Sequence, residues 1–325
     1  MQPQLNETSL KKPKQSATQA YEEITQAILQ KLASGTAPWR KPWESQSAML
    51  GEAKNLTTQK PYNGVNAILT AMQGYESPYW LTEKQANQLG GKLKDGQFAT
   101  RICHFQPYSR KGKAITNPTT GEAESTGTWG GYLKTFAVYN VDQFENLPER
   151  INPSILYPNR SKAQLTPIQK IEECEKIMKG FTGAPKVTYH LSRACYFPQI
   201  DVINMPKPEL FAKATDYYAT LWHEFGHSTG HPSRLSRKTL MDYNPFGSSN
   251  YSKEELVAEM TSAFLCAHAG IDGATLDSSA SYIAGWLKVL RNDPKMIVSA
   301  ASQAQKAANF ILGKTDKHSY KSNSK

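Results

Sequence analysis

The segment TLWHEFGHSTGH, residues 220–231, contains the side chains best suited to chemistry. His223 and His227 are four residues apart, so a helix would place both imidazoles on one face. Two imidazoles in this arrangement suit one Zn²⁺ ion, and Glu224 beside them could act as the general base on a metal-bound water. The segment therefore predicts the H-E-x-x-H site of a zinc peptidase. The alternative is a chance match on a surface helix.

A catalytic zinc site needs a third protein ligand. Metzincin spacing would place a histidine at position 233, but this residue is Ser233, so that class is excluded. The run YSKEELVAEMTSAFL contains Glu255 and Glu259, and its E-x-x-A-E pattern resembles the E-x-x-A-D run of gluzincin-like peptidases, in which the first acid binds the metal and the second orients a ligand histidine. We predict Glu255 as the ligand, with Glu259 as the fallback or the orienting acid. The alternative is that Glu255 forms an S-x-x-E capping box with Ser252, and Glu254 is expected to point elsewhere.

Other polar side chains near the motif have weaker assignments. Three of them could stabilise an oxyanion or support the site, although such residues are more often purely structural: Tyr196, His231 and Tyr243. A basic cluster just beyond the motif is either a solvated face or a contact for an acidic partner: Arg234, Arg237 and Lys238.

The front half of the chain is basic and rich in aromatic residues. Residues 84–113 contain seven basic side chains and one acid, Asp95, so their net charge is 7 − 1 = +6. The basic residues are Lys84, Lys92, Lys94, Arg101, Arg110, Lys111 and Lys113, and the aromatic residues among or near them are Trp80, Phe98, Phe105, Tyr108, Trp129 and Tyr132. Cations interleaved with stacking aromatics are typical of single-stranded nucleic acid binding. The equally weighted alternative is an aromatic core beneath solvated lysines.

Composition limits the classes of function. The chain has 325 residues, enough for two domains, and its net charge of +10 indicates attraction to a polyanion. Its four cysteines form no C-x-x-C pair, as in a reduced cytosolic protein. We find neither a signal-peptide core nor a run of the roughly 20 apolar residues that span a bilayer. We therefore expect a soluble, cytoplasmic protein with no membrane partner.

Helical periodicity positions the chemical residues. Helices are predicted over residues 208–229, 252–269, 279–291 and 294–312, so the H-E-x-x-H motif and its acids lie on two of them. Short strands are predicted at KVTYH, ACYF and DVINM, and longer ones at ATRICHFQPY and YLKTFAVYNV, with a flexible loop between the long pair. Thr82 and Thr166 are predicted helix N-caps. The fold class is therefore α+β.

In both halves the chain resembles the ArdC-type antirestriction proteins of conjugative plasmids and phages, which are similar to the N-terminal part of some plasmid primases. The front half carries the resemblance in PWRKPW, NLTTQKPYNGVNAILT, GYESPYWLTEKQANQLGGKLKDGQ and YLKTFAVYNVDQFENLP. The back half carries it in ACYFPQIDVINMP, YYATLWHEFGHSTGHPSRLSR and EELVAEMTSAFLCAHAGI. It extends from about residue 18 to 312.

The resemblance implies an N-terminal single-stranded DNA-binding domain and a mainly helical, zincin-like C-terminal metallopeptidase domain with a small sheet. We predict a disordered arm over residues 1–18, the DNA-binding domain over 19–147, a linker over 148–166, the peptidase domain over 167–312 and a polar tail over 313–325. The candidate DNA contacts are Trp39, Arg40, Lys41, Trp80, Lys84, Lys92, Lys94, Arg101, Tyr108, Arg110, Lys111 and Lys113.

The implied function is protection of incoming plasmid or phage DNA from host restriction, with Zn²⁺ or another divalent metal as the cofactor. The expected partners are single-stranded DNA and a protein or peptide substrate. Two alternatives remain open. One is a DNA-binding shield with a structural or inactive metal site, and the other is a protease acting on DNA-bound proteins.

Overall fold

The structure, a computed structural model, describes residues 16–39, 50–110, 114–116, 123–125, 128–149, 165–241, 248–271 and 280–314. Within these residues the chain has two α+β halves, which confirms the predicted fold class. The predicted N-terminal arm is too long by two residues, because helix α1 begins at Ala17 and the Ser16 side chain caps it by accepting the Gln19 N–H. The remainder of the arm, most of the predicted linker and most of the tail lie outside the described residues.

The four predicted helix ranges are helical, with boundaries that differ by up to six residues, and the described residues contain five further helices. The helices are α1 (Ala17–Ala33), α2 (Val65–Ala71), α3 (Glu83–Gln88), α4 (Pro167–Gly180), α5 (Ala214–Ser228), α6 (Lys238–Met241), α7 (Ser249–Ala269), α8 (Ala280–Asn292) and α9 (Met296–Ile311). Thr82 and Thr166 form capping boxes at α3 and α4, as predicted. The helix expected from residue 208 begins only at Ala214, because Pro208–Leu210 form a separate 3-10 turn.

The front half is built on a four-stranded sheet of order β1-β2-β7-β4. Its strands are β1 (Lys54–Asn55), β2 (Tyr79–Leu81), β4 (Thr100–Arg110) and β7 (Thr128–Asn140). Strands β4 and β7 form a long antiparallel ribbon in which Thr100 pairs with Val138 and Arg110 with Thr128. The loop predicted between them is partly wrong, since it contains the paired strands β5 (Ala114–Thr116) and β6 (Ala123–Ser125). Strands β3 (Lys92–Leu93) and β8 (Phe144–Glu145) pair separately.

The back half combines helices α4 to α9 with a small sheet. The sheet has the order β10-β11-β9, with strands β9 (Lys186–Thr188), β10 (Cys195–Phe197) and β11 (Val202–Asn204). Strand β10 runs antiparallel to β11 and forms one edge. The buried Asn204 side chain fixes the segment before β10 by accepting the N–H groups of His190 and Leu191 and donating to the Arg193 carbonyl at 2.6 Å.

Helix α1 joins the two halves. Its apolar stripe of Ile24, Ile28 and Leu32 is fully buried in a hydrophobic cluster that contains residues of both halves. Just beyond α1, Trp39 is 1% exposed and packs edge-on against Trp286 of α8, with ring centroids 5.4 Å apart. This burial corrects the prediction that Trp39 contacts DNA, because its indole faces are covered by the core.

Two further expectations concern the whole chain. All four cysteines are free, as expected. Among the described residues, no helix combines the length and the apolar character that crossing a bilayer requires.

Replacement of the Trp39 indole tests its assignment to the core. We expect Trp39→Ala to lower the free energy of unfolding by about 3–5 kcal/mol, the usual cost of truncating a buried tryptophan. Urea denaturation followed by circular dichroism measures the change. Phe98→Ala is the matched control, because Phe98 is 85% exposed and its removal should cost less than about 0.5 kcal/mol. Equal stability of the two variants would contradict the assignment.

Candidate metal centre

Close packing of α5 against α7 brings the H-E-x-x-H motif to its acids. A Cβ atom on Gly226 would lie 2.9 Å from the Ala258 Cα atom and 3.2 Å from the Ala258 carbonyl oxygen, so only glycine allows this approach without a shift. One turn after Ala258 on α7, the buried Ser262 hydroxyl donates to the Ala219 carbonyl of α5 at 2.8 Å. The two helices are therefore held in one register, with the EELVAE run facing the histidines.

The N-terminus of α7 decides between the two explanations of Glu255. Ser248 is the N-cap residue, and its side chain accepts the Tyr251 N–H at 3.2 Å. Ser252 therefore lies inside the first turn of α7, where its N–H donates to the Ser248 carbonyl at 2.9 Å. The proposed capping box between Ser252 and Glu255 does not match this start, which leaves the ligand role as the better explanation of Glu255.

His223, His227 and Glu255 form a group that could hold a metal ion, with one donor atom from each within 4.8 Å of the others. The two Nε2 atoms are 3.1 Å apart, and each lies 3.6 Å from an oxygen of Glu255. Tetrahedral coordination with bonds of about 2.0–2.2 Å separates neighbouring ligand atoms by about 3.3–3.6 Å. The donor types and their separations therefore fit a divalent cation of the size of zinc.

Each ligand histidine has a carboxylate behind it. His223 Nδ1 lies 3.7 Å from Glu259 Oε1, and His227 Nδ1 lies 3.5 Å from Glu254 Oε1. Carboxylates in this position fix the ring orientation and the tautomer, so that Nε2 remains available to a metal. Glu259 thus occupies the place expected of the orienting acid. The expectation for Glu254 is wrong, because its side chain reaches the motif instead of pointing elsewhere.

A buried ion pair holds Glu254 in place. Arg237 donates to both Glu254 oxygens, at 2.5 and 3.1 Å, and Thr239 donates to the same carboxylate at 2.6 Å. Although burial opposes its charge, the bonds from His227 and Arg237 lower the pKa of Glu254 to about 2. Arg237 also donates to the Gly226 carbonyl at 2.7 Å, at the point of closest helix contact. The predicted solvated or partner-binding role of Arg237 is therefore wrong, since the side chain is buried within the protein.

The electrostatics of the centre favour a bound cation. Burial works against a charge on His227, yet the neighbouring carboxylates, Glu255 and Glu254 foremost, raise its pKa to about 9. Burial likewise raises the pKa of Glu224, an effect that the two imidazoles oppose. A cation among the ligands would replace the proton on His227 as the balancing charge.

Glu224 of α5 lies close to β10, the edge strand of the small sheet. Its carboxylate is buried, which raises its pKa, and the nearby backbone N–H of Tyr196 in β10 acts in the opposite direction by favouring the charged form. The Tyr196 hydroxyl instead donates to Asp201 at 2.7 Å, and Arg234 binds both of these residues from its 4% exposed side chain. The predicted oxyanion role of the Tyr196 hydroxyl is corrected accordingly, because its proton is directed at Asp201.

Two other candidates from the sequence are His231 and Tyr243. His231 Nδ1 pairs with the Ser233 hydroxyl at 2.7 Å and lies outside the three-residue group. Tyr243 falls outside the described residues.

Comparisons with known proteins identify the family. A model of the N-terminal domain of the anti-restriction factor ArdC matches residues 18–139, and a zincin-like metallopeptidase model, MPTase-PolyVal, matches residues 172–303. The metal-free crystal structure of the antirestriction protein ArdC from plasmid R388 is 31% identical, with a TM-score of 0.66 over 90% of this chain and 97% of that one. This chain belongs to the ArdC family. The Mn(II)-bound structure of the same R388 protein is 30% identical, with a TM-score of 0.65 over 92% of this chain and 98% of that one.

The chain also matches part of a longer protein. An Escherichia coli protein named DNA primase TraC is 35% identical over 300 residues, which cover 90% of this chain. The match covers 27% of TraC, so this ArdC-family chain spans about a quarter of the length of that relative.

A divalent metal is the cofactor of this ArdC-family centre. The zincin-like domain, the Mn(II)-bound relative and the His-His-Glu group agree on this point. His223, His227 and Glu255 would hold the ion, and Glu254 and Glu259 would orient the two imidazoles. The identity of the metal, Zn²⁺ in our expectation, stays a prediction.

The candidate DNA contacts occupy several different environments. Trp80 is 1% exposed and packs beneath Ile102 and Val138, which corrects its assignment as a stacking residue. Arg101 pairs with Glu23 of α1 at 3.1 Å, and Lys92 pairs with Glu145 at 3.5 Å.

The remaining candidates are exposed or fall outside the description. Lys94 donates to the Asp142 carbonyl at 2.8 Å, while Lys84 lies on the exposed side of α3. Tyr108 is 40% exposed on the long ribbon. The side chains of Arg40, Lys41, Arg110, Lys111 and Lys113 fall outside the description.

Separate substitutions of the two acids test the ligand assignment. We expect Glu255→Gln to abolish stoichiometric Zn²⁺ and Mn²⁺ binding, because it removes one of three donors. Glu259→Gln should weaken binding by about 10–100-fold, the usual effect of losing an orienting carboxylate. Calorimetric titration of metal-stripped protein measures both effects.

The exposed Glu209 supplies the control for this titration, and Glu209→Gln should bind like the parent protein. Loss of binding in Glu259→Gln with retention in Glu255→Gln would reverse the two roles.

Proposed function

We propose that this protein is a metal-dependent peptidase that also binds single-stranded DNA and protects incoming DNA from restriction. The observation that carries the peptidase part is the convergence of two imidazole Nε2 atoms and the Glu255 carboxylate beside a buried Glu224. The antirestriction part comes from the relative named antirestriction protein ArdC, with which the chain shares nearly its whole length.

The chemistry follows from the roles of this chain's own side chains. A divalent cation held by the three ligands supplies a Lewis acid that polarises a peptide carbonyl and activates water. The Glu224 carboxylate takes a proton from the attacking water and then delivers it to the departing amine. Without a metal, burial raises the pKa of Glu224, an effect that the imidazoles of His223 and His227 oppose. The Tyr196 N–H favours the ionised form of the same carboxylate.

The edge strand provides a place for an extended peptide. Strand β10 lies at one end of the sheet order, so only one of its edges is paired within this sheet. An extended substrate can pair with such an edge through main-chain hydrogen bonds. The Arg234–Asp201 ion pair ties the turn after β10 to the end of α5, where Arg234 also donates to the Ser228 carbonyl at 2.7 Å. This connection would hold a paired substrate at a fixed distance from Glu224.

The DNA-binding part is supported by charge and by the relatives. The net charge of the chain is +10, and residues 84–113 contribute +6 of it, which favours a polyanionic partner. The matching relative named DNA primase TraC points to the same kind of partner. Single-stranded DNA suits both the basic charge and the exposed aromatic rings of the long ribbon.

Two variants of this proposal remain. In the first, DNA binding alone protects the incoming strand and the metal centre is structural or inactive; the exposed aromatic ribbon favours it. In the second, the peptidase acts on proteins bound to DNA, in which case single-stranded DNA should stimulate cleavage.

Glu224→Gln tests the peptidase mechanism. The substitution preserves the shape of the side chain but removes its capacity to accept a proton, so we expect cleavage to fall by roughly 10²–10⁴-fold. Cleavage of denatured casein and of a mixed peptide library, followed by mass spectrometry, measures the loss. Metal content should stay stoichiometric, because Glu224 is not one of the three ligands.

The same variant distinguishes the alternatives in cells. Loss of protection during plasmid transfer into a restricting host, with DNA affinity unchanged, supports a role of the peptidase. Full protection by Glu224→Gln would favour the DNA-binding shield. Cleavage by Glu224→Gln at the parent rate would eliminate the mechanism.

A further inference from the structure

The β4–β7 ribbon has two faces of different character. Because side chains alternate along a strand, every second residue of β4 shares a face with its partner on β7. The closed face consists of Arg101, Cys103, Phe105 and Pro107 with Gly131, Leu133, Thr135 and Ala137. The open face consists of Thr100, Ile102, His104, Gln106 and Tyr108 with Gly130, Tyr132, Lys134, Phe136 and Val138.

The closed face is occupied by the protein itself. Glu23 of α1 pairs with Arg101 at 3.1 Å and accepts the Thr135 hydroxyl at 2.9 Å. Cys103 and Leu133 are buried in the main hydrophobic cluster. Phe105 remains half exposed on this face, with its ring over Gly131, where an added Cβ atom would collide with it.

The open face presents a row of aromatic rings to solvent. Tyr108, Tyr132 and Phe136 are 40%, 38% and 42% exposed. The two tyrosine rings contact each other with centroids 6.2 Å apart. Positions two apart on one face of a strand are separated by about 7 Å, so Tyr132, Lys134 and Phe136 form a regularly spaced line. The exposed row ends where Ile102 and Val138 of the same face are buried in the cluster around Trp80.

The charge of the open face is complementary to a polyanion. Lys134 pairs across the ribbon with His104, and its Nζ atom lies 5.2 Å from the centre of the Tyr132 ring. None of the ten positions that define the open face is acidic. A polyanion with flat apolar groups therefore meets both rings and a cation there.

We infer that the open face is the single-stranded DNA platform of this protein. Bases stack on Tyr108, Tyr132 and Phe136, and Lys134 contacts the phosphate backbone. Unpaired bases can use such rings because each exposes a π-face, whereas a duplex keeps those faces stacked on one another. This inference rests on the proposed DNA binding and locates it on the open face rather than on the lysines of α3 and β3.

The experiment compares aromatic residues on the two faces of the ribbon. Fluorescence anisotropy of a labelled oligothymidylate with the full chain gives the dissociation constant. We expect Tyr108→Ala, Tyr132→Ala and Phe136→Ala each to weaken binding by at least roughly fivefold, the lower end of the effect of losing one stacked base. Tyr132→Phe should bind like the parent protein, since stacking needs the ring and not the hydroxyl.

Phe105→Ala is the matched control. It removes a ring that is 53% exposed, more than any of the three open-face rings, but it lies on the closed face, so the substitution should leave affinity within twofold of the parent. Lys134→Gln should reduce the slope of log affinity against log salt by roughly 0.7, the contribution of one phosphate contact in single strands. Thermal melting confirms that each variant is folded before its affinity is compared.

The outcomes separate the inference from the proposed function. If the parent protein binds no oligothymidylate, both fail. If the parent binds but the three open-face variants bind as tightly as it does, the open face is not the platform and DNA binds elsewhere. The same conclusion follows if Phe105→Ala weakens binding as much as the open-face variants do. If unlabelled duplex DNA competes for the protein as well as unlabelled single strands do, the inference that bases stack on these rings is wrong. A change in sedimentation with unchanged DNA affinity would show that the open face joins two copies of the chain.

Discussion

The contact between α5 and α7 at Gly226 is the constraint on which the metal centre depends. Two of the three ligands lie on one helix and the third on the other, so the spacing of the helices sets whether a cation can reach all three. Metal–ligand bonds tolerate errors of only a few tenths of an ångström. Gly226, which has no Cβ atom, allows the backbones to approach, and the Ser262–Ala219 and Arg237–Gly226 hydrogen bonds hold them there.

This geometry concentrates negative charge in a buried site. Glu224, Glu254, Glu255 and Glu259 surround two imidazoles, and Arg237 neutralises only the acid that it binds. A buried ion pair such as Arg237–Glu254 contributes little to net stability, because desolvation offsets the attraction. Its value lies in orienting His227, while the cation supplies the charge that the other carboxylates need. The site is therefore arranged for metal binding at some expense of stability in the metal-free protein.

Local patterns in the sequence predicted the elements and the first-choice ligands, because these depend on helical spacing. Glu255 and Glu259 are a turn apart on one helix, so spacing places both near the histidines, and the choice of Glu255 as ligand over Glu259 came from the resemblance to the gluzincin-like pattern. The roles of Glu254 and Arg237 depend on contacts between distant segments, and the loop that carries Arg237 shows no periodicity. The assignments of Trp39 and Trp80 are wrong for a related reason: an aromatic residue in a basic segment gives no sign in the sequence of whether its ring is buried in the core or exposed.

Helix α1 explains how the two halves can share a core without covering the DNA-binding surface proposed above. The same helix buries Ile24 and Ile28 among residues of both halves and directs Glu23 at the ribbon. It therefore covers part of the closed face, whereas the rings of Tyr108, Tyr132 and Phe136 on the open face remain exposed. Because side chains alternate with period two, the register of β4 and β7 decides which face of the ribbon a residue occupies, and the open face is exposed only beyond its buried end at Ile102 and Val138. The basic charge of the front half draws a strand toward the protein, but the register determines where its bases can stack.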